Sequence, residues 1–161
     1  YPTGIICTVI TVYILHKAQF FGDMMMNIYY SSMSIYGWWN WSRKTNNQYL
    51  VEITRFSKND ISLTTFLFLL TIGITYLVYI YNLSELAIPN YIDIFTSGIF
   101  FTAMWLMANK KLECWIFWII GDVITVPLYA YRGLGMLSLQ YIIFTILAIQ
   151  GYIEWKKHLS K

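Results

Sequence analysis

A chain of 161 residues that is 58% hydrophobic and 19% aromatic, with only 12% charged residues, lies outside the composition of soluble globular domains and reads as an all-α, polytopic membrane protein. A net charge of +3 does not point to nucleic acid, because the Lys and Arg residues flank apolar runs instead of gathering on one soluble face. Cys7 and Cys114 both fall in apolar segments, so neither a disulfide framework nor a metal pattern is expected, and the first apolar run shows neither the basic flank nor the small-residue cleavage site expected of a signal peptide.

At about 20 residues per span, six hydrophobic segments follow one another. The first, 2–15, is short and opens on Pro2, which suits a first helical turn. The second covers 22–41 and ends in Gly37, Trp38, Trp39, Asn40 and Trp41, followed at once by Arg43 and Lys44. Amphipathic Trp rings with cations just beyond them mark a helix leaving a bilayer on its cytoplasmic side. A polar loop, 42–60, leads to the third segment at 61–83. Pro89 and Asn90 form a break before the fourth, 91–109. The fifth covers 113–130 and the sixth 134–155, closing on Gly151, Tyr152, Ile153, Glu154, Trp155, Lys156 and Lys157.

Basic residues set the orientation. The even-numbered segment ends carry Arg43, Lys44, Arg55, Lys58, Lys110, Lys111, Lys156, Lys157 and Lys161, which leaves only Lys17 and Arg132 of the 11 for the opposite side. The positive-inside rule therefore puts the C-terminus in the cytoplasm.

The chain also repeats itself. One ungapped register lays Gly37 on Gly151, Trp41 on Trp155, and Val9-Ile10-Thr11-Val12 on Val123-Ile124-Thr125-Val126. The fifth and sixth segments then correspond to the first and second, and the partner of the fourth would precede Tyr1, so one further helix is expected ahead of a chain that does not open on Met. Seven helices arranged as three, one and three give two repeats running the same way. Residues 1–44 would hold the second and third helices of the first repeat, 45–88 a cytoplasmic loop and the linker helix, and 89–161 the second repeat. Parallel repeats of this kind are a transporter architecture, with the substrate near the midplane.

The run Asn27–Trp41, NIYYSSMSIYGWWNW, together with Glu113, Trp115, Trp118, Asp122 and the closing GYIEWKK, resembles the PnuC family of bacterial vitamin transporters over essentially the whole chain. The resemblance implies a SWEET-like fold and a homotrimer in the bacterial cytoplasmic (inner) membrane. It implies facilitated uptake of nicotinamide riboside, a precursor of NAD (vitamin B3), trapped by cytoplasmic phosphorylation. Thiamine, riboflavin or a small sugar is the alternative cargo, and a membrane scaffold is the reading from another class. No cofactor is implied. Many family members have Gln ten residues before the motif glycine, where this chain has Asn27, which keeps the amide with a shorter reach.

A pyridinium nucleoside needs a ring face, worth about 0.5–2 kcal/mol in cation–π energy, and polar groups for its ribose. Trp115, Trp118 and Asp122 are spaced to share one helix face, with Asp122 about 13 Å beyond Glu113 and so near the bilayer centre. An ionisable group at that depth is a functional-site hypothesis, set against pairing with a neighbouring helix. Trp115 has the alternative of an interfacial belt residue, the more natural role also for Trp38, Trp39, Trp41 and Trp155. The second segment offers Asn27, Tyr30 and Ser34 on one face, and the sixth Gln140, Tyr141 and Phe144, the repeat register pairing Asn27 with Tyr141 and Tyr30 with Phe144. For Asn27 and Gln140, hydrogen bonding between helices is the alternative. Catalysis is not indicated: no phosphate loop and no Ser-His-Asp spacing occurs, and His16 and His158 lie at span ends.

Pro127 sits inside the fifth segment, where it removes one backbone hydrogen bond and permits a bend. Pro127→Ala is expected to slow transport more than it weakens binding. Uptake rates in vesicles beside equilibrium binding check this, and an unchanged rate would count against a hinge at Pro127.

Overall fold

The computed structural model describes residues 5–6, 9–10, 12–13, 21–45, 48–49, 51–82 and 85–160. Within them the chain is helical apart from one small ribbon: α1 (Phe21–Ser42), β1 (Lys44–Thr45), β2 (Gln48–Tyr49), α2 (Lys58–Asn82), α3 (Ile88–Ala108), α4 (Cys114–Tyr131) and α5 (Gly135–Leu159). Ahead of α1, the described positions of the first expected segment are helical, while His16 and Lys17 lie outside the described residues. Among the described residues, four helices, α2 to α5, are long and apolar enough to cross a membrane.

Two boundaries differ from the sequence reading, each for a local reason. The linker helix begins at Lys58, earlier than the first apolar residue, because Ser57 and Asp60 cap it reciprocally. The Ser57 amide donates to Asp60 Oδ2 at 2.8 Å and the Asp60 amide to Ser57 Oγ at 3.4 Å. Pro89 does not break the chain before α3 but lies in its first turn, where its missing N–H costs nothing. The polar loop before α2 also contains the β1–β2 ribbon, paired antiparallel.

The chain divides into two compact units, residues 1–52 with 107–110, and residues 53–106 with 111–161. In the first, the end of α1 supplies side-chain donors to the last carbonyls of α3. Asn40 Nδ2 donates to the Ala108 carbonyl at 3.0 Å, and Trp41 Nε1 to the Met107 and Ala108 carbonyls at 3.2 and 3.1 Å. The last carbonyls of a helix have no intrahelical partner, and these bonds supply one. Lys110 lies over the Trp41 ring, 5.2 Å from its centroid, and donates to the Val51 carbonyl at 2.8 Å. Trp41 is thus a capping residue, whereas Trp38 and Trp39 are exposed and Arg43 lies over Trp39, the arrangement of an interfacial belt.

In the second unit the helices meet through small residues. Buried on α3 are Thr96, Ser97, Thr102 and Ala103, and a Cβ on Gly98 would lie 2.9 Å from the Phe68 ring of α2. Lipid tails are as apolar as Leu, so helices in a bilayer associate by close packing, and small side chains permit it. Among the described residues, α4 and α5 form the most extensive helix pair. At one end Ser138 Oγ donates to the Val126 carbonyl at 2.9 Å. At the other Trp115 stands edge-on to Trp155, centroids 5.3 Å apart, over the bare backbone of Gly151. Between α4 and α5 the Leu134 amide reaches the Tyr129 carbonyl at 2.8 Å and the Gly133 amide that of Ala130 at 3.1 Å, with Gly133 at φ 75°. That is a Schellman stop, which needs the left-handed conformation glycine adopts freely.

The segment before α2 is fastened to the start of α4. The Leu112 amide donates to the Thr54 carbonyl at 2.9 Å, the Phe56 amide to Glu113 Oε2 at 2.9 Å, and Lys111 pairs with Asp60 at 2.8 Å.

A Cβ at Gly151 would lie 2.6 Å from the Trp115 ring, which is rigid and has no flexible end to give way. Gly151→Ala is therefore expected to destabilise the α4–α5 pair by roughly 1–3 kcal/mol. A thermal melt in detergent reads this directly, and an unshifted Tm would mean the ring can move.

Candidate functional site

α4 carries a lengthwise stripe. Trp115, Trp118, Asp122, Thr125 and Tyr129 recur at three- and four-residue intervals, which puts them on neighbouring turns of one face. Asp122 lies near the middle of this 18-residue helix and is 1% exposed. Neither of its carboxylate oxygens has a hydrogen-bond partner among the described residues. Thr125, the nearest hydroxyl on the stripe, is committed elsewhere, donating to the Gly121 carbonyl at 2.7 Å.

The residue before Asp122 is Gly121, and the ring of Phe100 from α3 rests on it so closely that a Cβ would fall 2.5 Å from Phe100 Cε1. Phe100 in turn joins the aromatic residues of two other helices. Its centroid is 5.5 Å from Trp118 at an interplanar angle of 32°, and 5.9 Å from Tyr141 of α5 at 31°. Tyr141 continues the series to Tyr129 at 5.3 Å and to Phe144 at 5.9 Å. A band of ring faces therefore runs through α3, α4 and α5, with a buried carboxylate one residue from its centre. The Trp118 indole N–H is buried and has no partner among the described residues, and the same holds for the Thr102 hydroxyl.

Of the residues expected from the sequence, Trp118, Asp122, Tyr141 and Phe144 thus fall in one cluster. Trp115 shares their helix face, but its ring is engaged with Gly151 and Trp155, and its buried Nε1 has no partner among the described residues. Gln140 is exposed on α5. Asn27, Tyr30 and Ser34 belong to the other unit. There the Asn27 carbonyl accepts from Ser31 Oγ at 2.8 Å, Tyr30 lies edge-on to Tyr29 with centroids 5.8 Å apart, and Ser34 is buried. Phe100, Thr125 and Tyr129 join the cluster without having been expected. Gly121 was the available signal, since a lone glycine inside an apolar helix marks a close approach.

The cluster offers stacking faces, a carboxylate as hydrogen-bond acceptor, and N–H and O–H donors. Those groups recognise a flat, cationic or polar ring compound. A carboxylate held in an apolar bundle without a partner costs several kcal/mol, a cost that structure alone does not need to carry.

Comparison with known proteins came out consistently. The family model described as "Nicotinamide mononucleotide transporter" matches residues 1–157. The nicotinamide riboside transporter PnuC of Escherichia coli is 27% identical, the match covering 96% of this chain and 74% of that protein. PnuC of Neisseria mucosa is 22% identical, over 98% of this chain and 63% of that one. Among solved structures, the crystal structure of the vitamin B3 transporter PnuC superposes with a TM-score of 0.67 at 23% identity, over 96% of this chain and 69% of that one.

If Asp122 serves a ligand and not the fold, Asp122→Asn, of the same size and without the buried charge, should leave the empty protein at least as stable. A melting curve without ligand decides: a marked fall in Tm would assign Asp122 to a structural link.

Proposed function

The chain belongs to the nicotinamide mononucleotide transporter family, and on that premise we propose that it carries nicotinamide riboside across the membrane. The observation that carries the choice of cargo is Asp122, buried beside the aromatic band with no hydrogen-bond partner among the described residues. Nicotinamide riboside bears a pyridinium ring, which would stack on Trp118 and place its positive charge near the carboxylate, while its ribose hydroxyls meet the remaining polar groups. Both gains are larger in an apolar bundle than in water. A mononucleotide would bring a phosphate as well. No Lys or Arg occurs within α4 or within α5 ahead of its last turn, so that phosphate would face Asp122 without a counter-charge.

The same reading extends to the architecture. Of six membrane-spanning segments, two in residues 1–44 and three in 89–161 belong to two three-helix repeats that run the same way, and the sixth is the linker helix of 45–88. The ungapped register between the halves supports this. Asn27, Tyr30 and Ser34 are proposed as binding groups on α1, and Trp115, Trp118, Asp122, Gln140, Tyr141 and Phe144 as those of the second repeat. The excess of basic residues at one set of span ends supports a cytoplasmic C-terminus in a bacterial inner membrane. Uptake is downhill, with net accumulation supplied by cytoplasmic phosphorylation, and the assembly is a homotrimer. Of other cargoes, thiamine and riboflavin also present flat rings and are the natural competitors.

Calorimetry with nicotinamide riboside, thiamine and riboflavin tests the cargo and the site together. The expected result is binding of nicotinamide riboside alone, weakened about tenfold or more by Asp122→Asn and by Trp118→Ala. Binding of a different vitamin would overturn the cargo, and full affinity in both variants would overturn the site.

A further inference from the structure

We propose that Phe100 is an internal substitute for the substrate's ring: it holds the stacking position against Trp118 and Tyr141 in the empty carrier, and it leaves when substrate binds. The proposal rests on the binding reading above and adds a residue that sets affinity and selectivity at that site.

The ring geometry is the first support. Phe100 meets Trp118 and Tyr141 at shallow angles, 32° and 31°, whereas Tyr141 with Phe144 and Trp115 with Trp155 meet nearly edge-on at 75° and 83°. Offset and edge-on pairs are both ordinary packing of neutral rings, and a ring face is also the surface a planar cation takes up. Phe100 is therefore placed as a flat ligand would be, but it has no charge and no polar atom.

What surrounds it is the second support. The Asp122 oxygens and Trp118 Nε1, all buried, have no partner among the described residues while Phe100 holds this position. A hydrocarbon ring fills the apolar half of the site and leaves the polar half unanswered. A pyridinium nucleoside would answer both. The depth of the Phe100 ring also depends on one position, because a Cβ at Gly121 would lie 2.5 Å from it. In this proposal the ring leaves by a change of side-chain rotamer.

If the covered state dominates the empty protein, the apparent affinity is lowered by the fraction of molecules that are open. Phe100→Leu and Phe100→Met retain apolar bulk but cannot stack. Both variants, with the wild-type chain, are to be titrated calorimetrically with nicotinamide riboside, thiamine and riboflavin. The expected result is about tenfold tighter binding in both variants of whichever compound the wild type binds, with thiamine or riboflavin gaining more than nicotinamide riboside. Unchanged or weaker binding in either folded variant overturns the proposal while leaving the cargo reading in place. If the wild type binds thiamine or riboflavin instead, the cargo reading fails and the Phe100 effect is read on that compound. Binding seen only in the variants supports the proposal, and binding in none of the three proteins overturns it.

Discussion

Where a large aromatic ring lies on a glycine backbone, two helices of this protein are brought to a fixed distance. Phe68 lies on Gly98, Phe100 on Gly121 and Trp115 on Gly151, and each would collide with a Cβ at under 3.0 Å. In a bilayer the backbone hydrogen bonds are satisfied within each helix and water contributes nothing to bringing helices together. Dispersion contact between rings and bare backbone is then a principal source of attraction, and it depends steeply on separation. These three contacts join α2 to α3, α3 to α4, and α4 to α5, so the second unit is held by a series of similar joints.

One of those joints is also the candidate site. Gly121 lets Phe100 come close, and Asp122 follows it in the chain. The feature that packs the helices and the feature that would recognise a ligand are one residue apart. A carboxylate in that position works against stability, and the joint beside it offsets part of that cost by holding α3 and α4 together. The opposite end of α4 is fixed differently, through Glu113 and Lys111 to the segment that leads into α2. Hydrogen bonds to charged groups, such as that from the Phe56 amide, are worth about 1.5–3 kcal/mol. The middle of α4 thus lies between a latched start and a Schellman stop at Gly133, with Pro127 as its one interior interruption.

Helix ends show how much of this design depends on particular side chains. Trp41 reads from the sequence as an anchor at the membrane boundary, yet its indole N–H serves the carbonyls of Met107 and Ala108. Its neighbours Trp38 and Trp39 stay exposed and keep the interfacial role. The same residue type in one short motif therefore does two different jobs, decided by which face of α1 each residue occupies.

Composition, hydropathy and the Trp-rich helix endings were enough to establish an apolar helical membrane protein, to place most spans within a few residues, and to carry the family resemblance. These are properties of a residue and its near neighbours, and the bilayer enforces them by excluding any unsatisfied backbone. The stripe through Trp118 and Asp122 was legible for the same reason, since the helical period alone puts those residues on one face. Phe100 was not legible, although it is the ring that joins Trp118 to Tyr141, because nothing near it in the chain says which helix it will touch. Nor was the commitment of Trp115 to Gly151 and Trp155. Both depend on how helices distant in sequence cross and on where a missing Cβ lets a ring approach, and only the folded chain decides that.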